Sequence, residues 1–327
     1  MVKIGDLEVG EFPLLLAPME DVSDPPFRKL CKEGGADIMY TEFVSSEGLI
    51  RQASKSIQKL DIFEFERPIG IQIFGNNIDS MKEATRIATS VQPDIIDINY
   101  GCPVKKVTCK GGGAAILQDI PKMVKMTSEI VKSTKLPVTV KTRLGWDEKS
   151  KYIVEVAERL QDIGIQAISI HGRTRKQMYK GEANWELIRE VKNNPRIKIP
   201  VFGNGDVTCP ETAKKKKEKY NVDGIMIGRA AIGNPWIFLK IKEYLNSGKI
   251  IEEPKMKDKI EMVLNHLKWS IEWKGEKLGI LEMRRHYSNY FKDLPKIKNY
   301  RSELVQLNEY NEVLNKINEI KEIYKNY

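Results

Sequence analysis

Eight short apolar segments recur along the first 230 residues, separated by polar stretches of helix length. Near-continuous apolar runs of this kind are typical of parallel strands covered on both faces. They are Leu14–Glu20, Ile38–Val44, Pro68–Gly75, Ile95–Cys102, Pro137–Leu144, Ala167–Arg173, Pro200–Asp206 and Gly224–Ala230. Eight strand–helix units within about 220 residues predict a (β/α)8 barrel. An open doubly wound sheet is less favoured, because its glycine-rich fingerprint is missing after the first strand.

The pattern changes after residue 240, where strand-like segments stop and amphipathic helical stretches follow. Helices are expected at Lys257–Trp273, Leu278–Phe291 and Glu303–Tyr324. We therefore predict two domains, a barrel over residues 1–240 and a helical domain over residues 241–327. Residues 241–300 carry 13 basic against 9 acidic side chains, whereas residues 301–327 carry 4 against 5. The positive charge of the helical domain is thus concentrated in its first half.

Composition excludes several other classes of protein. The 54 basic and 45 acidic residues give a formal net charge of +9, which is too small for a histone-like tail but compatible with an acidic partner. The lysine run Lys214–Lys217 is interpreted as a solvated helix face, with a nucleic-acid contact as the alternative. No apolar run is long enough to span a bilayer, and Asp6 and Glu8 lie where a signal peptide would be apolar. Four cysteines without a CxxC pair indicate neither a metal site nor a disulfide framework, so we expect a cytoplasmic monomer without metal.

Nearly every predicted strand ends in polar residues or glycine, which a purely structural strand does not require. In a barrel these ends converge on the C-terminal rim, where the sites of such folds are built. A single polar strand end would be interpreted as an ordinary loop residue, but eight at one rim favour a functional site. The strand-end residues are Met19-Glu20, Thr41-Glu42, Gln72, Asn99, Lys141, His171, Asn204-Gly205-Asp206 and Gly228-Arg229.

Cys102 stands out among the cysteines because it follows the fourth predicted strand, between Gly101 and Pro103. The basic residues Lys105 and Lys106 and a run of three glycines come next in the same loop. A thiol with an ordinary pKa is mostly protonated at neutral pH, so it can donate a proton as well as act as a nucleophile. The pattern predicts chemistry at Cys102 and leaves both roles open.

The ends of the seventh and eighth predicted strands indicate an anion site. Phosphate sites in these barrels form between the loops after strands 7 and 8, and Arg229 adds a forked donor for phosphate oxygens. The alternative is that these glycines only make tight turns. Lys141, at the end of the fifth strand, needs a negative partner in a barrel mouth, and the anionic edge of a reduced flavin would provide one.

Six sequence blocks together resemble the FMN-dependent tRNA-dihydrouridine synthase family. They are LAPMEDVSDPPFRKLCKEGGA, DINYGCPVKKVTCKGGGAAILQD, VKTRLGWD, HGRTRKQMYKGEANW, GNGDV and DGIMIGRAAIGNPWIF. A seventh, MRRHYSNYF, resembles the C-terminal helical domain of the bacterial B-type branch. The resemblance extends over residues 12–325, and its most specific element is the Asn-x-Gly-Cys-Pro segment.

The resemblance implies that the chain reduces a uridine in tRNA to 5,6-dihydrouridine, with NADPH or NADH as the electron donor. Cys102 would be the general acid that protonates uracil C5 as hydride from the flavin reaches C6, and Asn99 would position the flavin or the base. Position by position, the residues implied for FMN are Pro18, Met19, Glu20, Gln72, Lys141, His171, Asn204, Gly205, Asp206, Gly228 and Arg229.

Basic residues after the fifth and sixth strands are candidates for tRNA phosphates, with exposed surface charges as the alternative interpretation. They are Arg143, Arg173, Arg175, Lys176 and Lys180, and Arg284, Arg285 and Tyr287 are candidates in the helical domain. We expect tRNA to be held by local patches at residues 105–110, 143–180 and 284–298.

Glu20 departs from the family pattern, in which small residues follow Met19. If its carboxylate pointed at the flavin, it would disfavour the anionic reduced form, whereas contact through the backbone would make the residue tolerable. Two rival functions share parts of the pattern. A small-molecule FMN reductase, similar to ene-reductases or dihydroorotate dehydrogenases, would not need the basic rim or the helical domain. A non-catalytic RNA-binding barrel would not need Cys102 or Lys141.

Overall fold

The computed structural model describes residues 1–292 and 294–325. Asp293, within the expected 284–298 patch, and the last two positions of the expected helical domain, Asn326 and Tyr327, lie outside the described residues. None of the helices in the described ranges is both long and apolar enough to cross a membrane.

A closed parallel barrel forms the first part of the chain. A small antiparallel hairpin, β1 (Lys3–Ile4) and β2 (Leu7–Glu8), precedes it. The barrel strands are β3 (Leu14–Leu16), β4 (Met39–Tyr40), β5 (Val44–Ser45), β6 (Ile69–Phe74), β7 (Ile95–Tyr100), β8 (Val138–Arg143), β9 (Ala167–His171), β10 (Val201–Asn204) and β11 (Gly224–Ile227). β11 pairs with β3, and the amide of Leu16 donates to Ile38 O at 2.9 Å, which closes the ring. The predicted (β/α)8 barrel is confirmed.

Three strand predictions were wrong in detail. The first predicted strand, Leu14–Glu20, ends at Leu16, because the chain turns where the Met19 carbonyl accepts from the amides of Val22 and Ser23. The predicted strand Ile38–Val44 is divided into β4 and β5, because the Thr41 hydroxyl donates to Glu42 O and accepts from the Gln72 amide, which replaces regular pairing. The last predicted strand stops at Ile227 and not at Ala230, because Arg229–Ala231 forms a turn of 3-10 helix.

Helices connect the strands and cover the outside of the barrel. They are α1 (Pro25–Glu33), α2 (Ser46–Ile50), α3 (Ser54–Gln58), α4 (Ile78–Ser90), α5 (Lys105–Thr108), α6 (Ile120–Val131), α7 (Ile153–Asp162), α8 (Glu186–Asn193), α9 (Pro210–Tyr220) and α10 (Ile237–Ser247). α1 shows why the local sequence folds this way. The Asp24 carboxylate accepts from the amide of Phe27, two prolines occupy the first turn, and Gly34 follows the last residue.

The barrel interior is arranged in layers, because alternate side chains of each strand point inward. The lowest layer is apolar and includes Leu15, Tyr40 and Phe202. Above it lies a polar layer in which Gln72 of β6 is in register with Asp97 of β7, and Asp97 with Thr139 of β8. The top layers hold Asn99, Lys141, His171 and Asn204, which therefore open onto the C-terminal rim.

Four helices follow the barrel, α11 (Met256–Lys274), α12 (Glu276–Tyr290), α13 (Ile297–Leu304) and α14 (Tyr310–Ile323). The first two match the predicted helices to within two residues at each end. The predicted helix Glu303–Tyr324 was wrong at its start, since the chain leaves helical structure between Leu304 and Tyr310. Arg284 stabilises that break by donating to Leu307 O and Asn308 Oδ1, both at 2.9 Å.

The C-terminal helices share their own apolar core, which is distinct from the barrel core. Leu30 of α1 belongs to this second core, so α1 is the barrel element on which the helices pack. The proposed division near residue 240 stays a prediction. Ile241 of α10 still belongs to the barrel core, and apart from Leu30 the buried residues of the second core begin at Met256.

Two buried histidines lie where α1, α11 and α12 meet. His266 Nδ1 and the Tyr290 hydroxyl are 2.6 Å apart, and the His286 ring stacks on Phe27 with 5.5 Å between ring centres. His266 Nε2 and His286 Nδ1 have no hydrogen-bond partner in the described part of the chain. Burial lowers the pKa of His286 to about 3 and holds the pKa of His266 well below its usual range. Both rings are therefore neutral in the folded protein near pH 7.

We predict that His286→Phe makes the protein less sensitive to acid. A histidine with a lowered pKa is protonated first in the unfolded chain, so its stabilising effect is present above about pH 6.5 and is lost as the pH falls toward 3. Between pH 6 and 4 the free energy of unfolding of the wild type should therefore fall about 1.4 kcal/mol per pH unit more steeply than that of the variant. Urea unfolding at a series of pH values measures both slopes. Equal slopes would contradict the assignment.

Candidate active site

A cavity of about 640 Å³ opens at the C-terminal end of the barrel. Its size lies within the range of small-molecule and cofactor sites. It brings together most of the residues predicted from the strand ends, namely Pro18, Met19, Glu20, Asn99, Cys102, Lys141, Arg143, His171, Asn204, Gly205, Asp206, Gly228 and Arg229. The other candidates, which do not line it, are Gln72, Arg173, Arg175, Lys176, Lys180, Arg284, Arg285 and Tyr287. The prediction for Tyr287 was wrong, because its ring is fully buried in the core of the C-terminal helices and cannot reach tRNA. Phe43 and Tyr179 line it without having been predicted.

A chain of buried side chains holds the backbone at Cys102. The Asn99 Oδ1 atom accepts from the amides of Gly101 at 3.0 Å and Cys102 at 2.8 Å, and Asn99 Nδ2 donates to Gln72 Oε1 at 2.8 Å. Gln72 Nε2 in turn donates to Asp97 at 2.5 Å. Gln72 therefore lies one layer below the cavity, where both ends of its amide are already bonded. Its position differs from the expected one at a flavin edge.

Asp97 anchors this chain from the polar layer and was missed in the sequence. It accepts hydrogen bonds from Gln72 and from the Thr139 hydroxyl, each at 2.5 Å. Burial raises the pKa of Asp97 to about 6, although these two hydrogen bonds oppose the rise. The available signal was a carboxylate inside an apolar strand, two residues before Asn99 and hence on the same face.

Cys102 is nearly inaccessible, with 7% of its surface exposed. Burial raises the pKa of its thiol, so the thiol is protonated at neutral pH. The carbonyl of Cys102 accepts from the amide of Ala114 at 3.0 Å. Gly113 lies at φ +55°, and a Cβ atom there would come within 2.9 Å of that carbonyl. A glycine is therefore needed for the loop to fold back over Cys102.

Lys141 places a half-buried cation in the cavity. Its ammonium donates to Asn204 Oδ1 at 3.3 Å, and within the described ranges it forms no ion pair with a carboxylate. Burial, reinforced by the nearby positive charge of Arg143, lowers the pKa of Lys141 to about 8. The group remains mostly protonated at pH 7, and an anionic ligand would relieve its lack of a counter-charge.

Arg143 is buried and connects two loops of the rim. Its guanidinium donates to Gly101 O at 2.7 Å, to Thr174 O at 3.1 Å and to Met178 O at 2.9 Å. It thereby ties the loop that carries Cys102 to the loop after β9. Burial lowers the pKa of Arg143 to about 10, and the side chain stays charged at neutral pH.

Arg173 and Asp206 form an ion pair with each other, so neither side chain is free for the contact that the sequence predicted. The guanidinium donates to both Asp206 carboxylate oxygens, at 2.9 and 2.7 Å, and only 3% of the Arg173 side chain is exposed. Asp206 also accepts from the amide of Ala183 at 2.7 Å. The pair fastens the loop after β9 to the end of β10. Arg173 was expected to bind tRNA and Asp206 was expected to bind the flavin. In the structure the two side chains bind each other and nearby main-chain groups.

The remaining predicted arginines outside the cavity also have partners within the protein. Arg175 donates to the Thr108 hydroxyl at 3.1 Å and lies over the Trp146 ring, 4.7 Å from its centre. Arg285 donates to Asp21 O. These contacts give Arg175 and Arg285 structural roles at the rim, as the loop contacts do for Arg284.

The Glu20 carboxylate accepts from the Lys59 ammonium at 2.7 Å. The ammonium of Lys59, which does not line the cavity, therefore neutralises the negative charge of Glu20 at the cavity edge. The amide of Met19 donates to the Ser23 hydroxyl at 2.9 Å and is therefore already bonded. Because the carboxylate is directed at Lys59, the ion pair favours contact through the backbone over a Glu20 carboxylate that points at the flavin.

Arg229 and Tyr179 form the outer wall on the side of β11. The Arg229 guanidinium lies 4.6 Å from the centre of the Tyr179 ring, and 59% of the Arg229 side chain is exposed. Tyr179 is half exposed and also lies near the His171 ring. A detectable sequence signal for Tyr179 was an aromatic residue within the polar block after the sixth strand.

Comparisons with known proteins bear on this site. The family model "Dihydrouridine synthase (Dus)" matches residues 15–326. The chain belongs to the dihydrouridine synthase family. It is therefore an enzyme of that class, and the resemblance noted in the sequence is confirmed. This dihydrouridine synthase is 37% identical over 302 residues to the "Probable tRNA-dihydrouridine synthase" of Rickettsia bellii, covering 92% of both chains. It is 38% identical over 301 residues to the "tRNA-dihydrouridine synthase B" of Pseudomonas aeruginosa, covering 92% of this chain and 90% of that one.

Solved structures with low sequence identity share the fold of this dihydrouridine synthase. Morphinone reductase superposes with a TM-score of 0.54 at 13% identity, covering 78% of this chain and 90% of its own. The histamine dehydrogenase from Rhizobium sp. 4-9 superposes with a TM-score of 0.55 at 12% identity, covering 80% of this chain and 50% of its own. At such low identity these likenesses establish only the barrel architecture.

We predict that Gly205→Ala destabilises this dihydrouridine synthase far more than Gly181→Ala. Both glycines have positive φ, but a Cβ at Gly205 would lie 2.8 Å from Ala183 Cβ and 2.9 Å from His171 Cδ2, whereas nothing lies within 4 Å of one at Gly181. Strain and overpacking at Gly205 should cost about 3 kcal/mol or more. The backbone penalty alone at Gly181 should cost about 1–2 kcal/mol. Urea denaturation measures both, and equal losses would show that the cavity wall is not tightly packed at Gly205.

Proposed function

We propose that this enzyme reduces uridines in tRNA to 5,6-dihydrouridine, using FMN as the cofactor and NADPH or NADH as the electron donor. One observation carries the proposal. The cavity holds a buried, protonated thiol at Cys102 and the unneutralised cation of Lys141 at the same rim. The tRNA substrate is supported by the names of the relatives, which are tRNA-dihydrouridine synthases.

The cavity suits a flavin mononucleotide in volume and in its donors. Lys141 supplies positive charge for an electron-rich ring edge, and the exposed guanidinium of Arg229 supplies a forked donor for phosphate. Gly228 lines the cavity without a side chain, and a Cβ there would make only ordinary van der Waals contacts, at 3.4 Å from Ala17 Cβ. We assign FMN contacts to Lys141, Asn204, Gly205, Gly228 and Arg229. We further assign contacts to Pro18, Met19, Glu20 and His171 in the cavity wall.

Gln72 and Asp206 take indirect roles in this proposal. Gln72 supports Asn99 from below, and Asp206 holds Arg173 and the loop after β9. Both would influence the cofactor through the residues that they position. These indirect roles replace the direct flavin contacts that the family resemblance implies for Gln72 and Asp206.

Cys102 acts as the general acid. When bound, FMN supplies the hydride that uracil C6 receives, with two electrons delivered by the nicotinamide donor. Addition at C6 leaves negative charge at C5, because the C5=C6 bond is conjugated to a carbonyl. The Cys102 thiol gives its proton to C5 and is reprotonated from solvent. The raised pKa of Cys102 keeps the proton on sulfur until that charge develops.

Arg143, Asn99 and Tyr179 define the space for the base. Asn99 and Arg143 hold the two sides of the Cys102 loop, and the half-exposed Tyr179 ring provides a surface on which a base can stack. A uridine within folded RNA cannot reach this depth, so the nucleotide must turn outward into the rim.

The loop after β7 supplies charge for the tRNA backbone. Lys105, Lys106 and Lys110 are exposed next to Cys102, and no ion pair is formed by any of them within residues 1–292 and 294–325. By contrast, Arg173, Arg175 and Arg284 already have internal partners. We therefore assign the strongest phosphate contacts to residues 105–110. The first half of the C-terminal helices provides a second basic area.

We predict that Cys102→Ala stops dihydrouridine formation without preventing flavin binding. The purified variant should be yellow, and NADPH should bleach it at the wild-type rate, whereas turnover on tRNA should fall about 10²–10⁴-fold. Flavin absorbance and quantification of dihydrouridine in tRNA provide the two measurements. Cys209→Ala is the matched control, because Cys209 lies outside both the cavity lining and residues 105–110. Full activity of Cys102→Ala would remove the acid role, and a colourless wild type that takes up no FMN would refute the cofactor.

We predict that the double variant Lys105→Gln with Lys106→Gln weakens the salt dependence of tRNA binding. Each phosphate contact contributes about −0.7 to −0.9 to the slope of log K against log salt, so removing two contacts should make the slope about 1.4–1.8 less steep. Filter binding or fluorescence titration from low to moderate salt measures it. Lys135→Gln is the control, because this exposed lysine precedes β8 at the opposite end of the barrel. An unchanged slope in the double variant would place the phosphate contacts elsewhere. Binding of tRNA that is independent of salt in the wild type would favour a small-molecule reductase.

A further inference from the structure

His171 is the only one of the three histidines that lines the cavity. One edge of its ring is packed against the rim. A Cβ at Gly205 would lie 2.9 Å from His171 Cδ2 and 3.2 Å from Nε2, and Arg173 Nη1 lies 3.4 Å from Nε2. Nδ1 lies on the opposite edge of the ring. Its side of the imidazole is therefore the one left for a ligand.

The Arg173 contact determines which nitrogen of His171 carries the proton. A guanidinium has five N–H donors and no acceptor, and it does not lose a proton in proteins. Nε2 must then be the acceptor, since two donors facing each other would repel. A neutral imidazole with an acceptor at Nε2 carries its proton on Nδ1.

The surroundings of His171 also keep it neutral. Arg143, Lys141, Arg173 and Arg229 all place positive charge near the ring, and burial together with these charges holds the pKa of His171 well below its usual range. Asp206 is the nearby carboxylate, but both of its oxygens accept from Arg173. It therefore does not stabilise an imidazolium.

The orientation of Arg173 is itself fixed. Besides Asp206, its guanidinium donates to Lys180 O at 3.3 Å and to Gly181 O at 2.5 Å. The side chain has almost no freedom to rotate away from His171. The same contacts hold the segment that carries Tyr179.

We propose that Arg173 is a positioning residue that fixes His171 as the neutral tautomer with its proton on Nδ1. His171 then offers the cavity a hydrogen-bond donor of fixed direction and holds no proton that it can release as an acid near neutral pH. The tautomer does not depend on the proposed function. Only the use of this donor by a flavin or a uracil rests on it.

Nitrogen-15 NMR of the full-length protein, purified with its flavin and labelled at histidine, tests the proposal. His171→Asn assigns the signals by removing one of three pairs. We expect His171 to show a protonated Nδ1 and an unprotonated Nε2 from pH 5 to 8. Arg173→Met should redistribute the proton between the two nitrogens, whereas Arg189→Met, which removes an exposed arginine of α8, should leave the spectrum unchanged.

The NMR results distinguish failure of the tautomer proposal from failure of the proposed cofactor. Protonation of Nε2 in the wild type, a cationic His171 at pH 7, or an unchanged tautomer in Arg173→Met would each overturn the proposal. The signals of His266 and His286 report whether a variant is folded. If Arg173→Met unfolds, Arg173→Lys replaces it, because an ammonium keeps the charge but loses the fork and should also release the tautomer. A wild type without flavin would refute the proposed cofactor, yet the tautomer is still measured.

Discussion

The shape of the cavity rim depends on how the protein stabilises the buried positive charge in the cavity wall. Lys141, Arg143 and Arg173 reach it or support it from adjacent strands, and Asp206 is the carboxylate that pairs with one of them. A buried cation without a counter-ion is costly unless oxygen acceptors surround it. The protein meets this need with main-chain carbonyls, which accept from Arg143 at three places. Because those carbonyls belong to the loops after β7 and β9, the same contacts that stabilise the charge also fix the shape of the rim.

The barrel and most of the cavity were predictable from the sequence. Parallel strands of one barrel all end at one rim, so a list of strand ends is already a list of neighbours. This logic placed Asn99, Cys102, Lys141 and Asn204 together without any knowledge of their contacts. The rule follows from topology alone and does not require accurate strand boundaries, since β4 and β5 were merged and the rim was still assembled.

The errors concern depth and partners. Gln72 was treated as a strand end, but its register with Asp97 places it one layer below Asn99, and a shift of one pleat decides whether a side chain meets ligand or protein. Arg173 was treated as a free cation because a sequence shows charge without showing what neutralises it. Its partner Asp206 lies 33 residues away and is brought close only by the pairing of β9 with β10.

The positive wall also constrains the acid. Burial raises the pKa of Cys102, whereas Arg143 and Lys141 act in the opposite direction. The thiol is thus protonated at neutral pH, yet cations stand close enough to stabilise the thiolate that forms when the proton leaves. If the cations dominated, the group would be a thiolate nucleophile, and if burial acted alone the proton would be difficult to transfer. The proposed role of Cys102 as an acid therefore rests on burial, which raises the thiol pKa, against the Val104 amide and the two cations, which lower it. Arg143 is held near the thiol by its hydrogen bond to the Gly101 carbonyl.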